Sequence, residues 1–134
     1  MARFVDANIF LRFLLNDHPI WSLACKRLFL AVEAGDEEVW TSDIIISEVV
    51  YVLSSLYKVS RQDIAASLLP LLRLRGLRLP SKRLYPRIFQ LYTTTNLSYA
   101  DCHSAALIES RGQRELYSYD QGFKKLPTLK RLEP

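Results

Sequence analysis

The sequence contains only two cysteines, Cys25 and Cys102, and two histidines among its 134 residues. The cysteines have neither the spacing of metal ligands nor the pattern of a disulfide framework. A chain of this kind fits a reducing, intracellular compartment, and we expect a cytoplasmic location. With no cluster of cysteine and histidine, a zinc site is not expected.

Long hydrophobic runs are also absent. No stretch of eighteen uninterrupted apolar residues occurs, so the sequence predicts no membrane span. The amino end, MARFVDANIFLRFLL, superficially resembles a signal peptide, but Asp6, Asn8 and Arg12 interrupt it and no small-residue cleavage site follows. We therefore interpret it as mature protein. With 49% hydrophobic and 24% charged residues and no low-complexity tract, the composition is typical of a soluble globular protein.

Charge is distributed unevenly between the two halves of the chain. Residues 1–66 contain six Lys or Arg and nine Asp or Glu, whereas residues 67–134 contain twelve and five. The first half therefore has a balance of −3 and the second half a balance of +7. A basic half is typical of a nucleic-acid binder, although many basic proteins bind no nucleic acid.

Strand and helix patterns alternate along the chain. The strand patterns are RFVDAN, which ends at Asp6, then EVWTS, LRLP and ELYSYD, which ends at Asp120. The predicted helices are IFLRFLLN, residues 20–34, 43–57, 60–75, 81–95 and 98–110, and a short turn in QGFKKL. Their predicted caps are Asn8, Ser42 or Asp43, Ser60 with Asp63, and Ser98.

Two prolines fall inside predicted helices. Pro70 is expected to kink its helix or end its regular part, and Pro86 is tolerated only in a first turn. The alternation of elements with short connections predicts an α/β fold, with a mainly parallel central sheet of four to five short strands flanked by about seven helices. Because no linker is visible, we expect a single domain over residues 1–134.

Four acidic residues occupy positions suited to a site. Asp6 and Asp120 each end a strand pattern, and ligands of open α/β sheets bind beyond the carboxyl ends of strands. Glu48 lies in SDIIISEVVYVL with apolar helical neighbours, so we expect it to project from an apolar face, where an unpaired carboxylate costs several kcal/mol. Asp101 stands near the start of a predicted helix.

Each of these acids also has a structural explanation of its own. Asp6 fits the start of a helix or turn, and Glu48 fits a buried salt bridge. Ser98 with Asp101 forms a capping box, and Asp120 is a common turn residue before a glycine. These explanations remain open for each residue taken alone.

Taken together, the four acids favour a metal site. A parallel sheet would bring strand ends and helix starts to one edge, where several carboxylates repel one another unless divalent cations bind. Oxygen ligands without histidine or cysteine suit Mg²⁺ or Mn²⁺ rather than Zn²⁺. Combined with a basic flank, a hard cation implies a phosphate-containing substrate.

Four motifs of the chain resemble those of the PIN-domain nucleases, and more narrowly those of the VapC-type toxins of prokaryotic toxin–antitoxin pairs. The motifs are FVDANIF, SEVVYVL, LSYADCHSAAL and YSYDQGFKKL, in the family's order and spacing over essentially the whole chain. The resemblance implies a PIN-like fold and an acidic metal site formed by Asp6, Glu48, Asp101 and Asp120. Cys102, where a small residue such as Ala is usual, and Tyr119 depart from the pattern without removing a ligand.

The resemblance implies a metal-dependent endoribonuclease, in which one or two Mg²⁺ or Mn²⁺ ions activate a water for in-line attack on a phosphodiester. Asp6 and Asp101 are expected to be direct ligands. Asp120 is expected to ligate directly or through water, and Glu48 to ligate or to orient the water. Asn8 and Ser118 match positions that brace these carboxylates. Basic residues expected to guide RNA are Arg12, Lys82, Arg83, Arg87, Lys124 and Lys125.

VapC-type proteins are typically homodimers inhibited by a small antitoxin protein, so the resemblance implies both partners as well as RNA. The alternative is a PIN-like RNA- or protein-binding module with an inactive metal site. The presence of all four acids favours the nuclease. Transfer, ribosomal and messenger RNA all fit the same four acids as substrates.

Overall fold

Five short strands and six α-helices alternate along the chain, whose structure is a computed structural model that describes all 134 residues. Two shorter 3₁₀ helices are Lys82–Leu84 and Gln121–Lys125. The contacts divide the chain into two units, Met1–Lys82 and Arg83–Pro134. No helix has both the length and the apolar character needed to cross a membrane.

The first unit contains three strands and four helices. In chain order they are β1 (Arg3–Phe4), α1 (Ala7–Leu15), α2 (Trp21–Ala34), β2 (Val39–Trp40), α3 (Asp43–Ser55), α4 (Arg61–Leu72) and β3 (Leu77–Arg78). The strands form a parallel sheet in the order β1-β2-β3. The helices therefore serve as the crossover connections that parallel strands require.

The ends of β1 and β2 are tied together by a buried threonine. The Val5 amide donates to the carbonyl of Trp40 at 2.9 Å, and the Thr41 hydroxyl donates to the carbonyl of Val5 at 2.9 Å. Both Val5 and Thr41 are buried, so these bonds satisfy groups that water does not reach. The backbone immediately before Asp6 is fixed as a result.

Gly76 is required where the chain leaves α4 and enters β3. A Cβ atom at this position would lie 2.7 Å from the carbonyl oxygens of both Val32 and Glu37. Backbone oxygens at that distance cannot move aside as a flexible side chain can. Only glycine therefore lets β3 approach the end of α2 this closely.

The second unit contains two helices and two strands. They are α5 (Tyr85–Thr94), α6 (Tyr99–Ser110), β4 (Glu115–Tyr117) and β5 (Lys130–Leu132), and β4 pairs with β5 in parallel. Aromatic rings join α5 to α6, with centroid distances of 6.0 Å for Phe89–Tyr99 and 5.8 Å for Tyr92–Tyr99. The Arg87 guanidinium adds two hydrogen bonds to the Glu109 carboxylate at 2.8 and 2.9 Å.

The predicted fold class is confirmed, because the fold is α/β, its helix and strand numbers are close to those predicted, and every strand pair is parallel. The strands are shorter than predicted and lie in a three-stranded and a two-stranded sheet rather than in one. Pro86 lies in the first turn of α5, as expected. Pro70 lies in the last turn of α4, which ends at Leu72 and not at Arg75.

Three predicted boundaries are wrong for local reasons. Asn8 is not the cap of α1, because the helix already begins at Ala7. Helix α3 ends at Ser55 and not at Tyr57, since the chain turns at Lys58, which has a φ of +54°. Strand β4 ends at Tyr117, three residues before the predicted end.

Candidate functional site

Asp6 lies at the junction of β1 and α1 and is the N-cap of that helix. Its backbone is extended, with φ −88° and ψ 178°, and its Oδ1 accepts a hydrogen bond from the Ile9 amide at 3.3 Å. A carboxylate here satisfies one of the unpaired amides of the helix start and faces the positive end of the helix dipole. The side chain is exposed, so this contact holds Asp6 in place without removing it from solvent.

Asp6 and Glu48 line the same cleft, which has a volume of about 330 Å³. Its other lining residues are Ala7, Asn8, Leu11, Arg12, Val52, Leu56 and Tyr57. Helix α1 packs against α3, and the cleft receives one carboxylate from the cap of α1 and one from α3. The first unit thus brings two of the four predicted acids together.

Glu48 is exposed, and the expectation that it projects from a desolvating apolar face is wrong. Its apolar neighbours Ile44 and Tyr51 are themselves 80% and 65% exposed. Helix α3 buries its other face, through Ile46, Val49, Val50 and Leu53. The argument from the cost of burying Glu48 therefore no longer applies. The reason to assign Glu48 a role is its position in the cleft with Asp6.

Asp101 and Asp120 lie at two helix starts in the second unit. The Ser98 hydroxyl oxygen accepts a hydrogen bond from the Asp101 amide at 3.1 Å at the start of α6. Asp120 is the N-cap of the 3₁₀ helix Gln121–Lys125, and its Oδ1 accepts from the Gly122 amide at 2.8 Å. The capping explanations of both residues therefore describe their local structure correctly.

The two carboxyl groups of Asp101 and Asp120 interact. Burial raises the pKa of Asp101 above its usual range, a hydrogen bond with Ser98 opposes the rise, and both the charge of Asp120 and a hydrogen bond to it raise the pKa further. Like charges this close disfavour ionisation of both groups, and a cation bound between them removes that penalty. The second unit thus brings together the other two predicted acids.

The two predicted bracing residues are placed differently. Asn8 is exposed, is the second residue of α1 and lines the cleft that contains Asp6. Ser118 precedes Asp120 in a tight turn, and its hydroxyl oxygen accepts a hydrogen bond from the Asp120 amide at 3.0 Å. This bond fixes the backbone of Asp120 in the turn directly after the strand β4.

The family of the chain follows from a sequence comparison. A family model described as the PIN domain matches residues 3–129. The chain belongs to the PIN domain family. Among curated proteins, none matches it in sequence. Among solved structures, the crystal structure of VapC20 from Mycobacterium tuberculosis, a toxin that cleaves the sarcin–ricin loop, is 19% identical and covers 99% of this chain and 100% of its own, with a TM-score of 0.42.

The acids of this PIN domain fit a hard divalent cation by their chemistry. Asp6 pairs with Glu48 in the first unit and Asp101 with Asp120 in the second, and all four offer carboxylate oxygens, which suit Mg²⁺ or Mn²⁺. Within neither unit do three or more His, Cys, Asp or Glu side chains form a group that could hold a metal ion. Each unit by itself supplies half of the predicted ligand set.

Two of the predicted RNA-guiding residues of this PIN domain make contacts within the first unit. Arg12 Nη1 donates to both carboxylate oxygens of Asp17, at 2.9 and 3.0 Å. Lys82 Nζ donates to the carbonyl oxygens of Leu74 and Leu77 at 2.6 and 2.7 Å, and burial lowers the pKa of its ammonium group. Arg12 therefore joins the last turn of α1 to the segment that follows it. Lys82 joins the segment after β3 to the first residue of that strand and to the turn before it.

The remaining predicted RNA-guiding residues lie in the second unit. Arg87 is engaged by Glu109, which neutralises much of its charge. Arg83, Lys124 and Lys125 are exposed. These three are the exposed basic residues of the predicted set, which a phosphate backbone can reach.

One buried charged residue near the predicted site was not identified from the sequence. Arg131 in β5 has a side chain that is only 7% exposed, and its Nη1 donates to the carbonyl of Ser118 at 2.7 Å. An arginine in a short, basic segment near the end of a PIN domain sequence gives no signal of burial. Its contact with the turn before Asp120 is visible only in the structure.

Proposed function

We propose that this PIN domain protein is a metal-dependent endoribonuclease that hydrolyses RNA phosphodiester bonds, and that it is the toxin of a type II toxin–antitoxin pair. The observation that carries the proposal is the Asp101–Asp120 pair. Burial and, to a smaller extent, the neighbouring carboxyl group of Asp120 raise the pKa of Asp101, and two such carboxyl groups favour a cation between them. The chain belongs to the PIN domain family, whose model matches residues 3–129, and this supports the interpretation of the two acids as part of a nuclease site.

The four acids act as one site in this proposal, and residues 1–134 act as one domain. The order and spacing of the four motifs support joining Asp6 and Glu48 to Asp101 and Asp120. Four carboxylates would hold a divalent cation by their charge better than two would. One or two ions of Mg²⁺ or Mn²⁺ are proposed.

The four acids would hold divalent cations, which would supply Lewis-acid chemistry for phosphodiester hydrolysis by an activated water. The residues of this chain hold and orient the reacting groups. The carboxylates of Asp6 and Asp120 each accept a hydrogen bond from an amide at a helix start, so they need little reorganisation before the reaction, and the backbone of Asp101 is held at the start of α6. Glu48 is exposed in the cleft, which suits a residue that accepts a proton from the attacking water or ligates a cation.

The second unit also carries the charge that a phosphate backbone requires. It contains eight Lys or Arg and five Asp or Glu, a balance of +3 even though two of the acids are in the proposed site. Exposed Arg83, Lys124 and Lys125 are the proposed phosphate contacts. Binding through such contacts weakens as salt is added, because bound counterions are released on association.

A small antitoxin protein and a second copy of the chain are the proposed protein partners. Large apolar side chains that are more than half exposed support a partner surface, and those within helices of the first unit or next to them are Ile20, Trp21, Leu30, Ile44, Tyr51 and Leu56. Light scattering of the purified protein distinguishes one chain from two. Co-purification with the product of a neighbouring small gene tests the antitoxin.

The nuclease is tested with purified protein and a panel of transfer, ribosomal and messenger RNAs. We expect cleavage with Mg²⁺ or Mn²⁺ and none with EDTA. Asp101→Asn should lower the cleavage rate at least a hundredfold, because it removes a charged ligand while keeping the side-chain shape. Sequencing the RNA ends formed on brief expression in cells identifies the substrate.

Asp63→Asn is the matched control for Asp101→Asn. Asp63 lies three residues after the cap Ser60, and the Asp63 amide donates a hydrogen bond to Ser60 Oγ at 3.1 Å. Ser98 and Asp101 have the same arrangement. The Asp63→Asn variant should cleave RNA at the wild-type rate. Full activity of a folded Asp101→Asn variant contradicts the metal site. RNA binding without cleavage by the wild-type protein identifies the binding-module alternative instead.

A further inference from the structure

Arg131 has a buried side chain although it lies in β5, a strand with no fully buried residue. Its side chain is 7% exposed, whereas the neighbouring Lys130 is exposed. Removing a guanidinium from water costs several kcal/mol unless hydrogen bonds and opposite charge replace the lost hydration. The partners of Arg131 therefore indicate what its burial accomplishes.

Those partners satisfy the guanidinium only in part. Nη1 donates to the carbonyl oxygen of Ser118 at 2.7 Å, and Nη2 contacts the carboxylate of Glu133 at 3.1 Å. Glu133 is 54% exposed, so this ion pair is screened by water and contributes little. The Nε atom is buried and has no hydrogen-bond partner. The short bond to Ser118 is thus the main interaction that the buried charge makes.

Ser118 connects Arg131 to Asp120 through a continuous set of hydrogen bonds. The Ser118 amide donates to the carbonyl of Leu132 at 3.0 Å, which continues the pairing of β4 with β5. The Ser118 hydroxyl oxygen accepts from the Asp120 amide at 3.0 Å, and Asp120 Oδ1 accepts from the Gly122 amide at 2.8 Å. The Ser118 residue is therefore held on both sides, and the turn that carries the Asp120 carboxylate begins from it.

We propose that Arg131 is a positioning residue for Asp120, acting through the Ser118 carbonyl to hold the turn 118–122 in the conformation that presents the carboxylate to a divalent cation. This inference relies on the proposed function for one point, that the ligand of Asp120 is a divalent cation. A charged donor gives a stronger bond to a carbonyl than a neutral one, and its burial protects that bond from competition by water. Groups that orient metal ligands in this way commonly change metal affinity tenfold to a hundredfold when removed.

The test compares Arg131→Met with Arg87→Met in the full chain. Arg87 also bonds a carboxylate in the second unit, but its bonds to Glu109 join α5 to α6. Both variants should melt at a lower temperature. Arg131→Met alone should increase hydrogen exchange at the Asp120 and Gly122 amides and weaken Mn²⁺ binding, measured by calorimetry, by about tenfold to a hundredfold. It should lower kcat for RNA with little change in KM.

Arg131→Lys keeps the positive charge and a hydrogen-bond donor group, and it should retain more Mn²⁺ affinity than Arg131→Met does. If Arg131→Met does not fold, hydrogen exchange at the Asp120 and Gly122 amides is compared between Arg131→Lys and the wild-type protein. Unchanged exchange at Asp120 and Gly122 overturns the proposal, as does an equal loss of Mn²⁺ affinity in Arg87→Met, which would indicate general destabilisation. If the wild-type protein neither binds Mn²⁺ nor cleaves RNA, the proposed function fails, and the exchange at these two amides still decides the role of Arg131.

Discussion

At the scale of single residues, Asp6 caps helix α1 and is also a proposed metal ligand. Substitution by asparagine or by alanine distinguishes these two roles. Asparagine caps helices as well as aspartate does, whereas alanine cannot accept the Ile9 amide. We expect Asp6→Asn to change the free energy of unfolding by less than about 0.5 kcal/mol and Asp6→Ala to lower it by about 1 kcal/mol. Both should abolish RNA cleavage. Urea unfolding without metal, with cleavage assays in parallel, measures the difference.

Glu48→Gln is the reference for this comparison, because Glu48 lies in the same cleft, is exposed and caps no helix. Its stability should match that of the wild-type protein. If Asp6→Asn destabilises the protein as much as Asp6→Ala does, the charge of Asp6 is needed for folding, and its role is structural.

The sequence predicts a site formed by the four acids, but it does not predict the surroundings of each acid. Spacing and motif order single out Asp6 and Asp120, and the structure places each at a helix start close to where its strand pattern ends. Helix α3 has apolar residues on two faces, so periodicity alone cannot tell that the face with Ile46 is buried and the face with Ile44 exposed. The direction in which Glu48 points depends on which face the sheet and the other helices cover.

At the scale of elements, the ion pair between α5 and α6 makes stability depend on pH. Hydrogen bonding to Arg87 lowers the pKa of Glu109 from its ordinary value of 4.5, although burial opposes the shift. A carboxyl group whose pKa is lower in the folded state stabilises the protein above its unfolded pKa. That contribution is lost as the pH falls below about 4.5 through the folded-state pKa.

Glu109→Gln should therefore lower the melting temperature at pH 7 and reduce the further loss of stability between pH 5 and the acid unfolding transition. Thermal unfolding over this range of pH measures both effects. Glu115→Gln changes an exposed acid of the same unit and should follow the wild-type curve. A Glu109→Gln curve parallel to the wild-type curve would show that the Arg87 contact does not couple to folding.

Helix starts were predicted better than strand ends, and the reason is physical. A cap is a local contact between residues three positions apart, so Ser60 with Asp63 and Ser98 with Asp101 can be recognised in the sequence. A strand ends where its partner ends or where a turn withdraws it. Strand β4 is followed by a turn in which the Ser118 hydroxyl accepts a hydrogen bond from the Asp120 amide, and a serine in a strand pattern does not predict that bond.

At the scale of the whole molecule, the proposed site predicts how metal binding depends on acids that are far apart in sequence. A ligand that binds only the folded protein stabilises it by about 2.7 kcal/mol at a concentration of one hundred times Kd. For a chain of this length that corresponds to a rise in melting temperature of roughly 10 °C. We expect this rise with Mn²⁺ for the wild-type protein, and its reversal by EDTA.

If the two acid pairs act as one site, Asp6→Asn and Asp101→Asn should each remove most of that rise, and the double variant should remove hardly more than either single variant. Acids that belong to separate sites would instead give losses that add, because distant and independent substitutions are additive. Asp63→Asn, which changes an acid outside both pairs, should keep the full rise. Additive losses would contradict the four-acid site while leaving each pair as a separate cation site, so the melting curves of these four variants decide how the acids are combined.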